Sequence, residues 1–345
     1  MYTNIDHLQA LEHQIQERNR DRQAIQSIDA QLDAANRRAT RKTESVGDAQ
    51  IQQRRALEHD LRRALQAREL TVHYQPLVEI ASRRVVGLEA LARWKHPTLG
   101  PVAPSEFIPV AEESGLIVPL GEFVLRNVCE QAVRWAQEGV PVVRVAVNLS
   151  PVQLERQSIR VFVRSTLRDT GLQPHLLALD LTEGTLMKNA QTHAKALQEL
   201  RDDGVHIEID DFGAGYSSLT SLKQLPVDTL KIDPSLIRHL DTNGSDEAIV
   251  GSILALSRNL GLHVVAKGVE TLAQLQVLGH HGCEVAQGFY LCRPLPAEKC
   301  RELLLEHAQR SSFTDTLRLR IARPRGTEPR SPDVPNRKLR VGTSK

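Results

Sequence analysis

An α/β barrel of the (β/α)8 type is the fold this sequence predicts, and three observations predict it. Short β-branched or apolar runs recur along the chain, and each carries a polar residue near its C-terminal end. They are VVGLEALARW with Glu89, VRVAVNLS with Asn148, LLALDLTE with Asp180 and Glu183, IEIDDFG with Asp210 and Asp211, DTLKID with Lys231 and Asp233, HVVAKGVE with Lys267 and Glu270, and EVAQGFYL with Gln287. Helical patterns lie between them, over 161–170, 191–203, 247–259 and 272–279, at intervals of roughly 20 to 35 residues, the length of one βα unit. The chain, at 345 residues, is long enough for eight such units. An open doubly wound sheet would gather its polar residues at one crevice, whereas a barrel brings every strand end to one rim.

Taken in order, residues 1–60 are rich in Gln, Arg, Asp, Glu and Ala, with apolar positions at Ile5, Leu8, Leu11, Ile15, Ile25, Ile28 and Leu32. That spacing suits a helix with a narrow apolar seam, interrupted by Arg18 and Arg22. It reads equally as a solvated helical linker or as a short coiled coil that forms a homodimer or takes a regulatory protein partner. Residues 61–308 hold the barrel. Residues 309–345 mix Arg and Lys with Pro, Gly, Ser and Thr and bury too little apolar area to fold, so a disordered basic tail is expected. No aromatic residues interleave with its charge, which favours a solubilising tail over contact with nucleic acid or anionic lipid.

The most informative stretch is IEIDDFGAGYSS, Ile207 to Ser218. An alternating apolar segment ends in two adjacent carboxylates and runs into a Gly-rich turn, a place to hold divalent cations against something anionic. The plainer reading is a solvated strand end, since Asp is common where strands give way to turns. Recurrence of polar strand ends favours the first.

The strings HYQPLV, GLEALARW, FIPVAEESG, NLSPVQL, DDFGAGYSS, LKID, GVET and QGFYLCRPLP, in this order and spacing, closely resemble the EAL family, whose Glu-Ala-Leu motif is here Glu89-Ala90-Leu91. The resemblance spans roughly Leu61 to Ala308. It implies a TIM-like barrel that binds the bacterial second messenger cyclic di-GMP and, in active members, hydrolyses one phosphodiester bond to give pGpG with Mg2+ or Mn2+. It assigns a first metal to Glu89, Asn148, Asp180 and Asp210, an all-oxygen set suited to a hard cation. A second metal falls to Asp210, Asp211 and a Glu from the strand that here reads VVAKGVE. Lys231 matches the lysine that contacts the attacking water and the phosphate. Gln75, Leu91, Arg93 and Gln287 match ligand-binding positions, Arg93 being suited to bidentate phosphate contact. Glu183 matches the glutamate that anchors the DDFGAGYSS loop.

Two departures change the functional expectation. The family's E-x-T-E is here Asp180-Leu181-Thr182-Glu183, which keeps an oxygen ligand on a shorter stem. The family's A-E-G-V-E is here Ala266-Lys267-Gly268-Val269-Glu270, so an ammonium replaces a carboxylate that ligates the second metal and helps deprotonate water. The first expectation is therefore a cyclic di-GMP receptor with hydrolysis absent or weak, Lys267 standing where the second metal's charge would sit. A metal-dependent phosphodiesterase is the second, and a protein-binding EAL-like scaffold the third. Phe289 and Tyr290 read either as guanine contacts or as packing, Trp94 and Trp135 as packing.

The bounds agree. A net charge of +2 argues against a polyanion partner. Cys129, Cys283, Cys292 and Cys300 lack zinc-like spacing and read as reduced thiols. With no apolar run of membrane-spanning length and no signal peptide in view, a cytoplasmic bacterial protein is expected.

Overall fold

The structure is a computed structural model that describes residues 52–67, 69–156, 158–188, 190–215, 222 and 225–308. The expected coiled coil and basic tail fall almost wholly outside these residues.

Among the described residues ten strands form the sheet: β1 (Leu70–Glu79), β2 (Val85–His96), β3 (Gly100–Val102), β4 (Arg144–Asn148), β5 (Leu177–Thr182), β6 (His206–Phe212), β7 (Thr229–Ile232), β8 (His263–Ala266), β9 (Val285–Ala286) and β10 (Leu295–Pro296). Eight of them close a barrel in the order β1-β2-β4-β5-β6-β7-β8-β9, with β9 pairing back onto β1. From β2 to β9 the pairings are parallel, as βα units require. The first strand differs from a regular βα repeat. It runs antiparallel to both neighbours, because residues 80–84 join it to β2 by a turn too short for a crossover helix.

The helical patterns read from the sequence fold as Ile159–Thr170, Ala190–Asp202, Gly244–Leu260 and Leu272–His280. Thr271 and Gln274 make a reciprocal capping box at the start of the last, and Asn243 caps the third. Alternation along the strands then separates two environments. Val145, Val147, Leu177, Leu179, Leu181, Ile207, Ile209, Leu230 and Ile232 are buried beneath the helices, each such side chain contributing ~1.5–3 kcal/mol. Glu89, Ala146, Asp180, Glu208, Asp210 and Lys231 occupy the alternate positions and line the barrel interior.

Two local devices fix the rim. Gly288 lies so close to Val269 that a Cβ there would stand 2.0 Å from its carbonyl oxygen. The contact is sealed by Val269 N–H donating to the Gln287 carbonyl (3.0 Å) and Tyr290 N–H to the Val269 carbonyl (3.1 Å), which holds the Lys267 segment beside Gln287. At the other side the helix over 52–64 docks through buried Leu61 and Ala64, and its Asp60 accepts from His96 Nε2 at 3.1 Å. His96 Nδ1 accepts the Thr98 and Leu99 N–H groups, so the ring's proton sits on Nε2. Trp94 packs edge-on against Phe107, and Trp135 against Tyr74, which makes both tryptophans core residues.

Candidate functional site

Strand register carries the predicted residues to one end of the barrel. Glu89 on β2 lies opposite Gln75 of β1, and Asn148 ends β4 level with Asp180 of β5. Glu89 accepts from Asn148 Nδ2 at 3.0 Å and from Gln287 Nε2 at 2.8 Å. Gln287 also donates to Gln75 Oε1 (3.2 Å), and Gln75 donates to the Cys292 carbonyl (3.1 Å). Burial alone would raise the Glu89 carboxyl. Lys231 and Lys267, with the Asn148 and Gln287 hydrogen bonds, outweigh burial and hold it at about 2.

Lys231 is fully buried. Its ammonium pairs with Asp180 Oδ2 and lies 2.9 Å from Glu208 Oε2. Burial works against the charge, but the surrounding carboxylates prevail and raise its pKa. Because one ammonium is shared among several acids, Asp180 is not fully compensated. Burial pushes its carboxyl well above the usual range, with Asp210, Glu208 and Glu89 adding to the effect against Lys231.

The β6 to β8 side is arranged differently. Lys267 follows β8 and places its Nζ 2.5 and 2.6 Å from the two oxygens of Asp210 and 3.4 Å from Asp211 Oδ1. Burial disfavours the ammonium, yet Glu89, Asp210 and Asp180 raise its pKa above the ordinary lysine value. Asp211 sits at the bulge of β6 with φ of 53°, a left-handed conformation that Asp tolerates better than most residues. Its backbone N–H donates to Asp210 Oδ1 (2.9 Å). The next turn is held by Glu183, which accepts the Gly213 N–H at 3.0 Å; Gly213 takes φ of 95°.

One carboxylate oxygen each from Glu89, Asp180 and Asp210 lie within 4.8 Å of one another. Asp180 Oδ1 is buried with no hydrogen-bond partner. An oxygen-only set with an unsatisfied carboxylate oxygen fits one divalent cation, sharing Asp210 with Lys267. A second cation between Asp210 and Asp211 would meet the Lys267 ammonium, which lies 2.5 and 2.6 Å from the Asp210 oxygens and 3.4 Å from Asp211 Oδ1, so like charge disfavours it there.

Beside this cluster opens a cavity of about 280 Å3, lined by Leu91, Arg93, Asn148 and Asp180 and by the apolar Ile108 and Ile117. Arg93 donates to the Ala92 carbonyl at 2.9 Å and, among the described residues, has no carboxylate within 4 Å. At the cavity wall Ser150 Oγ donates to Glu112 at 2.6 Å, and Gln153 accepts the Ser150 N–H at 3.1 Å.

The structure thus brings Gln75, Glu89, Leu91, Arg93, Asn148, Asp180, Asp210, Asp211, Lys231, Lys267 and Gln287 to one rim, with Glu183 anchoring the loop. Glu270 is exposed, and among the described residues its side chain forms no hydrogen bond or ion pair. Phe289 and Tyr290 lie beyond β9 in a turn and are exposed, with Arg293 stacked over the Phe289 ring at 4.4 Å. Sequence reasoning missed Glu112, Ser150, Gln153 and Glu208. Glu208 had a signal: it alternates with Ile207 and Ile209 on the same face as Asp210.

Among the described residues no helix is long and apolar enough to cross a membrane. The EAL domain model matches residues 58–294. Over 256 residues the chain is 46% identical to the bifunctional diguanylate cyclase/cyclic di-GMP phosphodiesterase MucR of Pseudomonas aeruginosa, covering 74% of this chain and 37% of that protein. It is 42% identical over 248 residues to the cyclic di-GMP phosphodiesterase NbdA of the same species, covering 72% and 32%. The chain therefore spans about a third of the length of the curated relatives it matches. A solved structure of the PaMucR phosphodiesterase in complex with c-di-GMP superposes with a TM-score of 0.69 at 46% identity, covering 71% of this chain and 99% of that one.

Proposed function

Because the chain belongs to the EAL domain family, we propose that its barrel rim binds cyclic di-GMP and hydrolyses it weakly or not at all. One observation carries this reading: the Lys267 ammonium lies 2.5 and 2.6 Å from the two Asp210 oxygens. In-line attack on a diester is promoted by two cations that activate water and clamp the phosphoryl oxygens. Here one of the two positions holds an ammonium, which neutralises Asp210 but cannot ligate and acidify water. Its pKa is raised, so it is also no base at neutral pH.

Binding needs less. Arg93 offers a planar fork to one phosphate, Lys267 adds fixed positive charge at the rim, and Gln75 and Gln287 supply amide groups. The cavity beside Leu91 and Arg93 has the apolar walls and polar edge that a flat base requires. Glu89, Asn148, Asp180 and Asp210 would hold a single Mg2+ or Mn2+, which supplies charge to the phosphate. Glu183 keeps Asp210 and Asp211 in register by fixing the turn after them.

Titrating cyclic di-GMP into the purified chain by calorimetry in EDTA tests the reading. Saturable binding is expected, because Lys267 replaces part of the metal's charge. No heat of binding in EDTA, with binding restored by Mn2+, would overturn it. A second reading, an active single-metal phosphodiesterase, is favoured by the fit of Glu89, Asp180 and Asp210 to one cation. Formation of pGpG by the unaltered chain with Mn2+, at a rate ordinary for such enzymes, would establish that reading instead.

A further inference from the structure

The barrel is also open at its opposite end. At that end the inward positions of β2 and β4 include the small Gly87 and Ala146, beside a cavity of about 280 Å3. Arg144, Thr229, His263 and Val285, the first residues of β4, β7, β8 and β9, surround it at the N-terminal mouth. Leu77, Leu88 and Val265 form apolar walls, and Glu208 lies deeper.

Two charges in this cavity are incompletely matched. Arg144 is half-buried, and burial lowers its pKa. Its Nη2 meets His206 Nε2 at 2.7 Å and its Nε donates to the His175 carbonyl at 3.3 Å. Among the described residues no carboxylate comes within 4 Å of it. The guanidinium therefore keeps planar donor capacity, with Glu208 and Asp228 acting on it only from beyond ion-pair distance. At the inner end Glu208 is buried and pairs with Lys231, but that ammonium is shared with Asp180, so two carboxylates divide one positive charge. Among the described residues, Glu208 Oε2 meets only that shared ammonium, at 2.9 Å, and forms no well-aligned hydrogen bond. A buried acid in that state favours a further cationic donor.

An unpaired guanidinium at the mouth, apolar walls between, and an under-compensated carboxylate at the far end define a complementary ligand. We propose that the basal cavity binds a short ω-amino acid, with its carboxylate on Arg144, its methylenes against Leu77, Val265 and Val285, and its ammonium toward Glu208. The cavity is large enough for a chain of a few methylenes, and both charges would be matched at once. The site opens at the end opposite the rim and meets it through Lys231, which Glu208 shares with Asp180.

Saturation-transfer NMR on the full chain with 4-aminobutanoate and 5-aminopentanoate at millimolar concentration tests the assignment. Binding of at least one is expected, with butanoate, which lacks the ammonium, binding about tenfold more weakly. Arg144→Gln is expected to weaken binding by about tenfold or more, and Ala146→Leu to abolish it by filling the cavity without altering a charge. Should Ala146→Leu fail to fold, Arg144→Gln at its half-exposed position carries the test alone. No saturation transfer from either amino acid overturns the proposal. So does binding that is unchanged in Arg144→Gln.

Discussion

The two sides of the rim hold similar carboxylates in different states. On the β2 to β5 side, Asp180 gives one oxygen to Lys231 and leaves the other buried without a partner, while Glu89 accepts from two side-chain amides. On the β6 to β8 side, Asp210 gives both oxygens to Lys267, which also reaches Asp211. The first side is short of a cation and the second already contains one. The number of acids alone therefore does not define a metal site; what matters is which oxygens remain unengaged. On the function proposed above, such a rim would hold an anion through fixed charge without a second ion to activate water.

The strongest way to break this comparison is to make the two sides alike. Lys267→Glu removes the ammonium from Asp210 and places a carboxylate where the family resemblance expects a second metal ligand. Hydrolysis of cyclic di-GMP to pGpG with Mn2+ is expected to rise by ~10²–10⁴-fold, the range a general base contributes. Chromatographic separation of pGpG over time measures it. Equal rates for the unaltered chain and the variant would show that Lys267 does not limit the chemistry.

The next effect falls on stability. Lys231→Met removes the buried ammonium shared by Asp180 and Glu208 and leaves both acids uncompensated. A loss of about 3–5 kcal/mol is expected, read as a lower urea midpoint. Adding Glu208→Gln should recover part of that loss, because one of the stranded charges is then gone. Failure to recover any would mean that Glu208 is neutralised by other means.

A smaller effect tests the loop that joins Asp211 to the rest of the rim. Glu183→Ala deletes the charge-assisted bond to the Gly213 N–H, a contact worth about 1.5–3 kcal/mol locally. Amide exchange at Gly213 should accelerate and cyclic di-GMP affinity should fall, while exchange along β4 and β5 stays unchanged. Faster exchange across the whole barrel would assign Glu183 to global stability.

The rim was legible in the sequence because a barrel sends each strand's C-terminal residue to the same place, and the polar ends of β2, β4, β5 and β6 stand out against apolar runs. Lys267 was legible because it interrupts a pattern of carboxylates. The reversed direction of β1 was not. Its turn into β2 contains Ser82 and Arg83 with no Asn-Gly or Asp-Gly signal, and Arg83 takes φ of 61° without glycine's help. The downward pairing of Lys231 was hidden too. Motif comparison places that lysine toward water and phosphate, whereas its partner Glu208 lies within a run that reads as an ordinary alternating strand. Which of several acids a buried lysine meets depends on strand stagger around the barrel, and no local pattern encodes that.

The smallest expected effect is a flat pH response, and its sign follows from Lys267. Burial lowers the tendency of that ammonium to stay charged, but Glu89, Asp210 and Asp180 raise its folded pKa above the ordinary lysine value. A group raised on folding contributes stability that is fully present below its unfolded pKa and is lost only as pH rises through the folded value. The Lys267 contribution to metal-free cyclic di-GMP binding should therefore be constant between about pH 7 and pH 9, and any change in that interval would fall to the buried Asp180 carboxyl, whose pKa burial raises well above the usual range. Replacing Lys267 by Glu should make the same binding depend on Mn2+, and hence on the pH at which the acids of both sides are free to ligate it. Calorimetry in EDTA across that interval separates the two cases. A fall in affinity of the unaltered chain well below the ordinary lysine pKa would place the titrating charge somewhere other than Lys267, and the contrast between the two sides of the rim would then have to rest on Asp180 and Asp210 alone.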